Sequence, residues 1–145
     1  MRTQVEMKIE RRAIAELLPY ALNNRKHPDN QIKALAGFIR EVGFRVPIAI
    51  DADGSIIAGH GRLLAAQKLG MAEVPVIVHS DLTEREKRAM RIADNRLAEL
   101  AETDSEALAV ELRDLEQAGF NMSLVGFDDS DLAALEKAAE SVSIG

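Results

Sequence analysis

Apolar and polar positions in the first half of the chain alternate in short runs that predict a small sheet with packed helices. Val5, Met7 and Ile9 are separated by polar residues, which is the two-residue period of a half-buried strand. Three later runs are short and rich in β-branched residues, and each is bounded by Gly, Pro or Asp. The strands that these patterns predict are residues 4–10, 46–50, 55–58 and 74–78.

Helices are predicted where apolar residues recur every three or four positions. The first such set begins after a polar, proline-containing loop over residues 23–30, with Asp29 or Asn30 as the N-cap and Gly43 as the stop. Its apolar positions are Ile32, Leu35, Ala36, Ile39 and Val42. A short helical turn is expected over residues 13–17, and another helix runs from the glycines at 59 and 61 to Gly70.

After residue 80 the pattern is entirely helical. Thr83 with Glu86 forms a capping box that opens a helix ending near Leu100. A second capping box, Thr103 with Glu106, precedes a helix that ends near Gly119, and a last helix begins around residues 128–130. The first of these helices carries an apolar stripe of Ala89, Met90, Ala93, Leu97 and Leu100, opposite Arg88, Arg91 and Asn95. We therefore expect an α+β core over residues 1–80 and an all-helical extension over residues 81–145.

Composition restricts the classes of protein that this chain can belong to. Hydrophobic residues make up 47% of the 145 positions and charged residues 29%, which is typical of a folded, soluble domain. Cysteine is absent, which excludes disulfides, thiolate metal sites and thiol catalysis. No apolar run approaches the ~20 residues of a membrane span, and the N-terminus lacks a signal-peptide core. We expect a cytoplasmic protein without a membrane partner.

The net charge of −6 is unevenly distributed along the chain. The first hundred residues carry a balance of +3, whereas residues 101–145 carry −9. An anionic ligand is therefore expected on the first part of the chain, and the acidic part is expected to repel nucleic acid. The alternative for the acidic part is a solvated helical surface or an adaptor for a protein partner.

The strongest chemical signal is the sequence Gly59-His60-Gly61-Arg62 between a predicted strand and a predicted helix. Such a turn directs free backbone N–H groups and the positive end of the helix dipole at one point. The glycines allow close approach of an anion, and Arg62 adds a bidentate donor for phosphate or carboxylate. The alternative is a turn eased by glycine in which Arg62 makes a structural ion pair.

The three histidines do not form a metal-binding pattern. His60 has the residue type for acid–base chemistry near neutral pH, or else it serves as a hydrogen-bond donor at the helix N-terminus. His27 and His79 are expected at the surface, in a loop and at a strand end. Their wide spacing predicts no metal site, and no cluster of carboxylates of the kind used by two-metal nucleases is present in the sequence.

The landmarks of the first eighty residues are, in order, Asn23, Arg25, Gly43, Pro47-Ile48, Asp53-Gly54, Ile56–Gly59, Arg62, Ala65-Ala66, Leu69-Gly70 and Val74–Val76. As an ordered set over residues 5–80 they resemble the N-terminal domain of the ParB/sulfiredoxin type, the ParB-like nuclease domain family. The run over residues 88–99 resembles a helix in the members of this family that are found with phage and plasmid DNA methyltransferases. Sulfiredoxin activity requires a cysteine in the turn and is excluded.

In chromosome-partitioning members of this family, a Gly-Glu-Arg-Arg motif and an acidic-Asn-x-x-Arg motif bind CTP. Gly59 and Arg62 match the ends of the first motif, but His60 replaces the Glu and Gly61 replaces the first Arg. Asp94-Asn95 resembles the second motif, with Ala98 in the place of its Arg. Each lost arginine removes charge-assisted bonds of ~1.5–3 kcal/mol, so the resemblance implies weakened nucleotide binding. The replacement of the motif's Glu by His60 argues against CTP hydrolysis.

The resemblance implies a binding module associated with DNA. Its cofactor would be CTP or another nucleoside triphosphate with Mg²⁺. Its partners would be DNA, a DNA methyltransferase or a partitioning system, and a second copy of the chain. The alternative is an enzyme, a nuclease, nucleotidase or kinase, with His60 as the catalytic acid or base. The expected phosphate ligands are Gly59, His60, Gly61, Arg62, Asn23, Arg25 and Asn95. The expected nucleic-acid contacts are Arg25, Lys26, Arg62, Arg88 and Arg91.

Overall fold

Four strands form one mixed sheet in the order β1-β4-β2-β3. The computed structural model describes residues 1–23 and 25–144, and the side chains of all but the last three of these. The strands are β1 (Ile9–Ala13), β2 (Ile48–Asp51), β3 (Ile56–Ala58) and β4 (Glu73–His79). β2 and β4 are parallel, whereas β1 with β4 and β2 with β3 are antiparallel. The α+β class and the mixed sheet are confirmed.

Over the described residues the chain has five α-helices and two 3₁₀ turns. The helices are α1 (Asp29–Val42), α2 (His60–Lys68), α3 (Glu84–Leu100), α4 (Ser105–Gln117) and α5 (Asp129–Ile144). The 3₁₀ turns are Ile14–Glu16, where the sequence predicts a helical turn, and Met122–Val125, which the sequence does not predict. All elements that follow β4 are helical, as expected.

The core lies where α2 crosses the sheet. Ile48 and Ile50 of β2, with Val74 and Val76 of β4, are fully buried, and Leu63 of α2 packs against them. A second cluster joins α1 to α2 through Ile32, Ala36, Ile39 and Ala65. Burial of one such side chain stabilises the fold by ~1.5–3 kcal/mol, so these two clusters fix the start of α2 relative to the sheet.

The Cα positions divide the chain into two compact units, residues 1–99 and residues 100–145. The first unit holds the sheet, α1, α2 and nearly all of α3. In the second unit α4 and α5 pack together around Ala109, Leu112, Met122 and Ala139. The predicted domain boundary after residue 80 stays a prediction, since the compact units describe how residues cluster and not which segments fold independently.

The strand predicted over residues 4–10 is wrong in position. β1 begins at Ile9, opposite Ile77, and ends at Ala13, opposite Glu73. Val5 and Met7 lie outside the sheet and are 43% and 65% exposed. β1 is an edge strand, so its backbone pairing with β4 sets the register, and the alternating side chains reach no core.

Polar side chains, rather than the predicted apolar stripe, attach α3 to the β2–β3 hairpin. Lys87 is buried, whereas Leu97 is 64% exposed. Lys87 Nζ donates to Asp51, and Arg91 Nε donates to the Ile56 carbonyl oxygen. The helix therefore presents to the sheet the face that forms hydrogen bonds to the β2–β3 hairpin.

The helix caps are partly as predicted. Thr83 and Glu86 form the reciprocal capping box that opens α3. The N-cap of α4 is Asp104 rather than Thr103, since the Asp104 carboxylate accepts a hydrogen bond from the Ala107 N–H. The residue that precedes α1 is Pro28, one position before the predicted cap, and it makes no side-chain cap bond.

Candidate functional site

The turn between β3 and α2 leaves the N-terminus of a helix uncapped by any described side chain. Gly59 is the N-cap residue and has φ of 109°, in the left-handed region that favours glycine. A Cβ there would lie 3.1 Å from Arg62 Nη1 and 3.2 Å from Ile48 Cγ1. The first N–H groups of α2 and the positive end of its dipole are therefore available to an anion.

An open cavity of about 200 Å³ lies over this turn. Four parts of the first unit form its wall: the loop before α1, the start of α1, the β3–α2 turn and the middle of α3. The lining residues are Asn23, Arg25, His27, Gln31, Leu35, Ile57, Ala58, Gly59, His60, Gly61, Arg62, Arg91, Asp94 and Asn95. The fold thus brings together residues that are up to 72 positions apart in the sequence (Asn23 and Asn95).

Arg62 is half-buried beside the turn and held by the sheet. Its Nη1 donates to the Pro47 carbonyl oxygen at 3.1 Å. Burial lowers the pKa of the guanidinium, and the nearby Asp94 carboxylate partly offsets this by raising it. The side chain stays charged because the guanidinium does not deprotonate in proteins. One edge of the fork is fixed, and the remaining N–H groups are free to bind a ligand in the cavity.

α3 supplies the second arginine of the cavity. Arg91 Nε donates to the Ile56 carbonyl oxygen at 2.9 Å, and its guanidinium lies 3.8 Å from the centre of the Tyr20 ring. Asn95, one turn further along α3, donates to the Arg91 carbonyl oxygen. A hydrogen bond and a cation–π contact together hold Arg91 in one orientation at the cavity wall.

The loop before α1 contributes Asn23 and Arg25. Their backbone and side-chain groups form two mutual hydrogen bonds of 3.3 and 3.4 Å. Arg25 also forms an ion pair with Glu99 at 3.1 Å, between exposed side chains. Such exposed pairs contribute ~0–1 kcal/mol, so an incoming anion can compete for Arg25 at little cost.

His60 has one ring nitrogen engaged by the backbone. The Tyr20 N–H donates to His60 Nε2 at 3.1 Å, so that Nε2 carries no proton while this bond stands. Burial lowers the pKa of His60, and electrostatic interactions with His27 and Arg91 lower it further. The imidazole is therefore neutral at pH 7 with its proton on Nδ1, and Nε2 cannot accept a substrate proton without breaking the contact with Tyr20.

The two remaining cations of the predicted nucleic-acid contacts lie outside this cavity. Arg88 lines an adjoining cavity of about 160 Å³ with Tyr20 and Leu22. Lys26 is exposed and has no ion pair among the described residues. His27 and Gln31 were not predicted as site residues, and Asp94 entered only through the family resemblance. The signal for His27 was the polar loop around it, but its proximity to Gly61 depends on the fold.

A larger cavity, of about 800 Å³, lies between N-terminal residues 2–7 and residues 79–82. Its one arginine, Arg2, is already paired with Asp81 and Glu86. It lacks a glycine turn and converging cations, so the smaller cavity is the candidate site. Within the described residues no group of three or more His, Asp or Glu side chains is arranged to hold a metal ion, and no helix is long and apolar enough to cross a bilayer.

The fold and the cavity define an α+β domain with an arginine-lined glycine turn. The model of the ParB N-terminal domain matches residues 2–96, and the chain belongs to this family. The model of the ParB-methyltransferase HTH domain matches residues 106–142, which span most of the second unit.

The chain is similar to two curated proteins, and it covers a very different share of each. The ParB-like nuclease domain-containing protein YnaK of Escherichia coli K12 is 47% identical over 83 residues, covering 57% of this chain and 95% of that protein. The chromosome-partitioning protein Spo0J of Thermus thermophilus is 33% identical over 91 residues, covering 60% of this chain and 34% of that protein. The chain thus spans nearly all of one relative and a third of the other.

Solved structures share the fold. The chromosome-partitioning protein ParB of Caulobacter crescentus, in complex with CTP-γ-S, has a TM-score of 0.70 at 23% identity, over 88% of this chain and 76% of that one. The same protein in complex with the centromeric parS site has a TM-score of 0.51 at 22% identity, over 88% of this chain and 70% of that one.

Proposed function

We propose that this chain is a DNA-associated module that binds the phosphates of a nucleoside triphosphate, CTP in the first instance, at the Gly59–Arg62 turn. The observation that carries the proposal is the convergence of Arg62, Arg91 and Arg25 on the uncapped start of α2. Three guanidinium groups and several free N–H donors suit an oligophosphate better than a single carboxylate. The likeness in fold to a ParB bound to CTP-γ-S adds support.

The donor set suits the phosphates more clearly than it suits a metal ion. Asp94 is the one carboxylate among the lining residues, with Asn23 and Asn95 as amide oxygens. Mg²⁺ in phosphate sites is held by one or two carboxylates plus phosphate oxygens and water, and Asp94 meets that minimum. Phosphate binding by the arginines is the part of the proposal that this chain's own residues support directly.

We propose that the chain associates with DNA through another protein rather than by the second unit alone. The second unit matches a helix-turn-helix model, yet residues 101–145 carry a charge balance of −9. DNA affinity depends on neutralising phosphates, and this balance opposes it. The match to a ParB-methyltransferase HTH model supports a DNA methyltransferase as that protein, and self-association of the first unit would supply a two-fold arrangement.

Calorimetric titration of the full chain with CTP, ATP and a short DNA duplex tests the nucleotide proposal. We expect CTP binding that weakens by about 10- to 150-fold in Arg62→Ala, which corresponds to the loss of one charge-assisted bond. Arg40→Ala is the matched control, because Arg40 is exposed at the end of α1 and lies outside the cavity. No binding of either nucleotide, or equal binding by the Arg62 variant, overturns the proposal.

The enzymatic alternative, with His60 as the acid or base, has its own test. Incubation of the pure chain with nucleoside triphosphates or supercoiled plasmid measures product release or nicking. The occupied Nε2 of His60 leads us to expect no turnover. Turnover that His60→Gln abolishes, while CTP binding is retained, establishes the enzyme instead of the binding module.

A further inference from the structure

His27 occupies the space in which a side chain at position 61 would lie. A Cβ built on Gly61 is 3.1 Å from both Cε1 and Nδ1 of the His27 ring, closer than an ordinary van der Waals contact. Gly61 itself is buried, and its φ lies outside the left-handed region, so the constraint on this position comes from space and not from backbone conformation. A loop residue thus places an imidazole against the first turn of α2.

The orientation of this imidazole is set by α1. Nδ1 of His27 and Oε1 of Gln31, in the first turn of α1, are 2.9 Å apart. Since the carboxamide oxygen accepts, Nδ1 carries the proton and Nε2 is the nitrogen left for a ligand. Nε2 has no hydrogen-bond partner among the described residues, and both His27 and Gln31 line the cavity.

The two histidines of the cavity therefore differ in what they can do. His60 accepts the Tyr20 N–H at Nε2, and burial lowers its pKa, so it remains neutral. His27 makes no bond that requires an unprotonated nitrogen. As an imidazolium it donates through Nδ1 to Gln31 and through Nε2 to an anion, with both N–H groups satisfied.

Resting on the nucleotide proposal above, we propose that His27 binds a phosphate group at the Gly61 turn as an imidazolium, so that phosphate binding takes up a proton. The ligand chemistry is the phosphate oxyanion of a nucleoside triphosphate. Imidazole changes its charge between pH 5 and 8, within reach of ordinary buffers. The charged and titratable groups that face His27 across the cavity are Arg25 in the loop, His60 and Arg62 on α2, and Arg91 and Asp94 on α3.

These neighbours set the direction of the coupling. The three arginines and Asp94, the one carboxylate, are the charged side chains in the wall that His27 shares. A bound phosphate reverses the balance of charge beside His27. Protonation of His27 is thus coupled to ligand binding, and the affinity for phosphate rises as the pH falls.

The test compares the wild-type chain with His27→Ala by titration with CTP and with inorganic tripolyphosphate, at pH 6 and pH 8. We expect His27→Ala to weaken binding about tenfold at pH 6 and less at pH 8, which is the effect of one charge-assisted bond. Titration of the phosphates is common to both proteins and cancels in their ratio. His79→Ala is the matched control, because His79 lies at the end of β4 and outside this cavity.

Gly61→Ala tests whether binding depends on the contact of the His27 ring with the start of α2, while the difference between pH 6 and pH 8 is the readout that a purely structural role would not give. In the wild-type background the new methyl group displaces the His27 ring and weakens binding; in the His27→Ala background it costs nothing further. Equal losses in both backgrounds contradict the assignment of His27. A short DNA duplex, added as a competitor, distinguishes a site for DNA phosphate from a site for nucleotide phosphate. If the site binds DNA phosphate, the duplex displaces tripolyphosphate, and this displacement falls steeply with salt.

Imidazole NMR of the unmutated chain tests the proton directly. On addition of tripolyphosphate at pH 7 the ring nitrogens of His27 shift to imidazolium values, while those of His60 stay neutral. If the wild-type chain binds neither ligand, the nucleotide proposal and this one both fail. If it binds but His27→Ala binds equally at both pH values, or His27 stays neutral on binding, only the role of His27 fails.

Discussion

Lys87 Nζ lies 3.1 Å from Asp51 Oδ2, in an ion pair that is buried between α3 and the end of β2. Burial alone raises the pKa of Asp51, but hydrogen bonds from Lys87 and from the N–H groups of Ser55 and Asp53 outweigh it and bring the pKa below its ordinary value. Hydrogen bonds to Glu84 and Asp51 raise the pKa of Lys87. This pair holds the helix that carries Arg91 and Asn95 against the β2–β3 hairpin.

Replacing Asp51 by Ala is expected to lower the free energy of unfolding by about 2–5 kcal/mol. The variant leaves the Lys87 ammonium without one acceptor and two N–H groups of the turn without theirs, and each bond to a charged group contributes ~1.5–3 kcal/mol. Urea unfolding measures the change. Asp53→Ala in the same turn is the control, since the Asp53 side chain is exposed, and it should unfold as the wild type does.

The same carboxylate gives the fold an acid limit. Because the folded pKa of Asp51 is lowered, its stabilisation is complete above the unfolded pKa of ~3.9 and is lost as the pH falls through the folded value. Thermal melts between pH 5 and 2.5 should show a steeper loss for the wild type than for Asp51→Ala. Parallel curves for the two proteins would show that Asp51 has no part in the acid transition.

His60 is expected to produce a separate loss of stability at a higher pH. Its lowered pKa means that its contribution is complete above the unfolded pKa of ~6.5 and declines as the pH falls below that value. His60→Gln keeps an acceptor for the Tyr20 N–H but does not titrate. Between pH 7 and 5 the wild type should lose more stability than this variant; an equal loss in both proteins would contradict the neutral imidazole.

Gly59→Ala is expected to reduce both stability and nucleotide binding. The backbone at this position has φ of 109°, and the new Cβ would meet Arg62 Nη1 and Ile48 at 3.1–3.3 Å. Such strain costs ~1–3 kcal/mol and would move Arg62 from its place at the turn. Gly70→Ala is the control for backbone strain alone, because a Cβ there meets no atom within 4 Å. If Gly59→Ala retains nucleotide binding, the turn is not part of the binding site.

The N-cap of α4 distinguishes the structure from the sequence pattern. Asp104→Ala should lower the stability of the second unit by about 1 kcal/mol, since the Asp104 carboxylate caps the Ala107 N–H. Thr103→Ala should have little effect. Denaturant unfolding, followed by the circular dichroism of the helices, measures the stability of both variants. A larger loss in Thr103→Ala than in Asp104→Ala would support the capping box that the sequence predicts.

The local patterns of the sequence determine most of the elements of this fold. The α1 periodicity, the Thr83–Glu86 capping box and the glycine turn before α2 each depend on residues within one or two turns of each other. The position of β1 could not be predicted in the same way, because an edge strand takes its register from the backbone of β4 and not from its own side-chain pattern.

The candidate site was predictable only in part. The sequence predicts Gly59, Gly61 and Arg62 as site residues because the strand, the turn and the helix are contiguous there. The inward face of α3 could not be inferred from its apolar stripe, since Lys87 and Arg91 form hydrogen bonds to the β2–β3 hairpin that outweigh the burial of Leu97. Sequence patterns report which residues share a face, but not which face the rest of the chain covers.

The sequence by itself determined the α+β class, the glycine turn before α2 and the contrast in charge between the two parts of the chain. Only the tertiary structure decided which histidine leaves a ring nitrogen without a partner at the cavity. His60 is part of the motif, yet its Nε2 is occupied by the Tyr20 N–H, while His27, 34 positions before Gly61, lies against that glycine. The physical reason is that the availability of a ring nitrogen depends on contacts between distant segments, which no local pattern encodes.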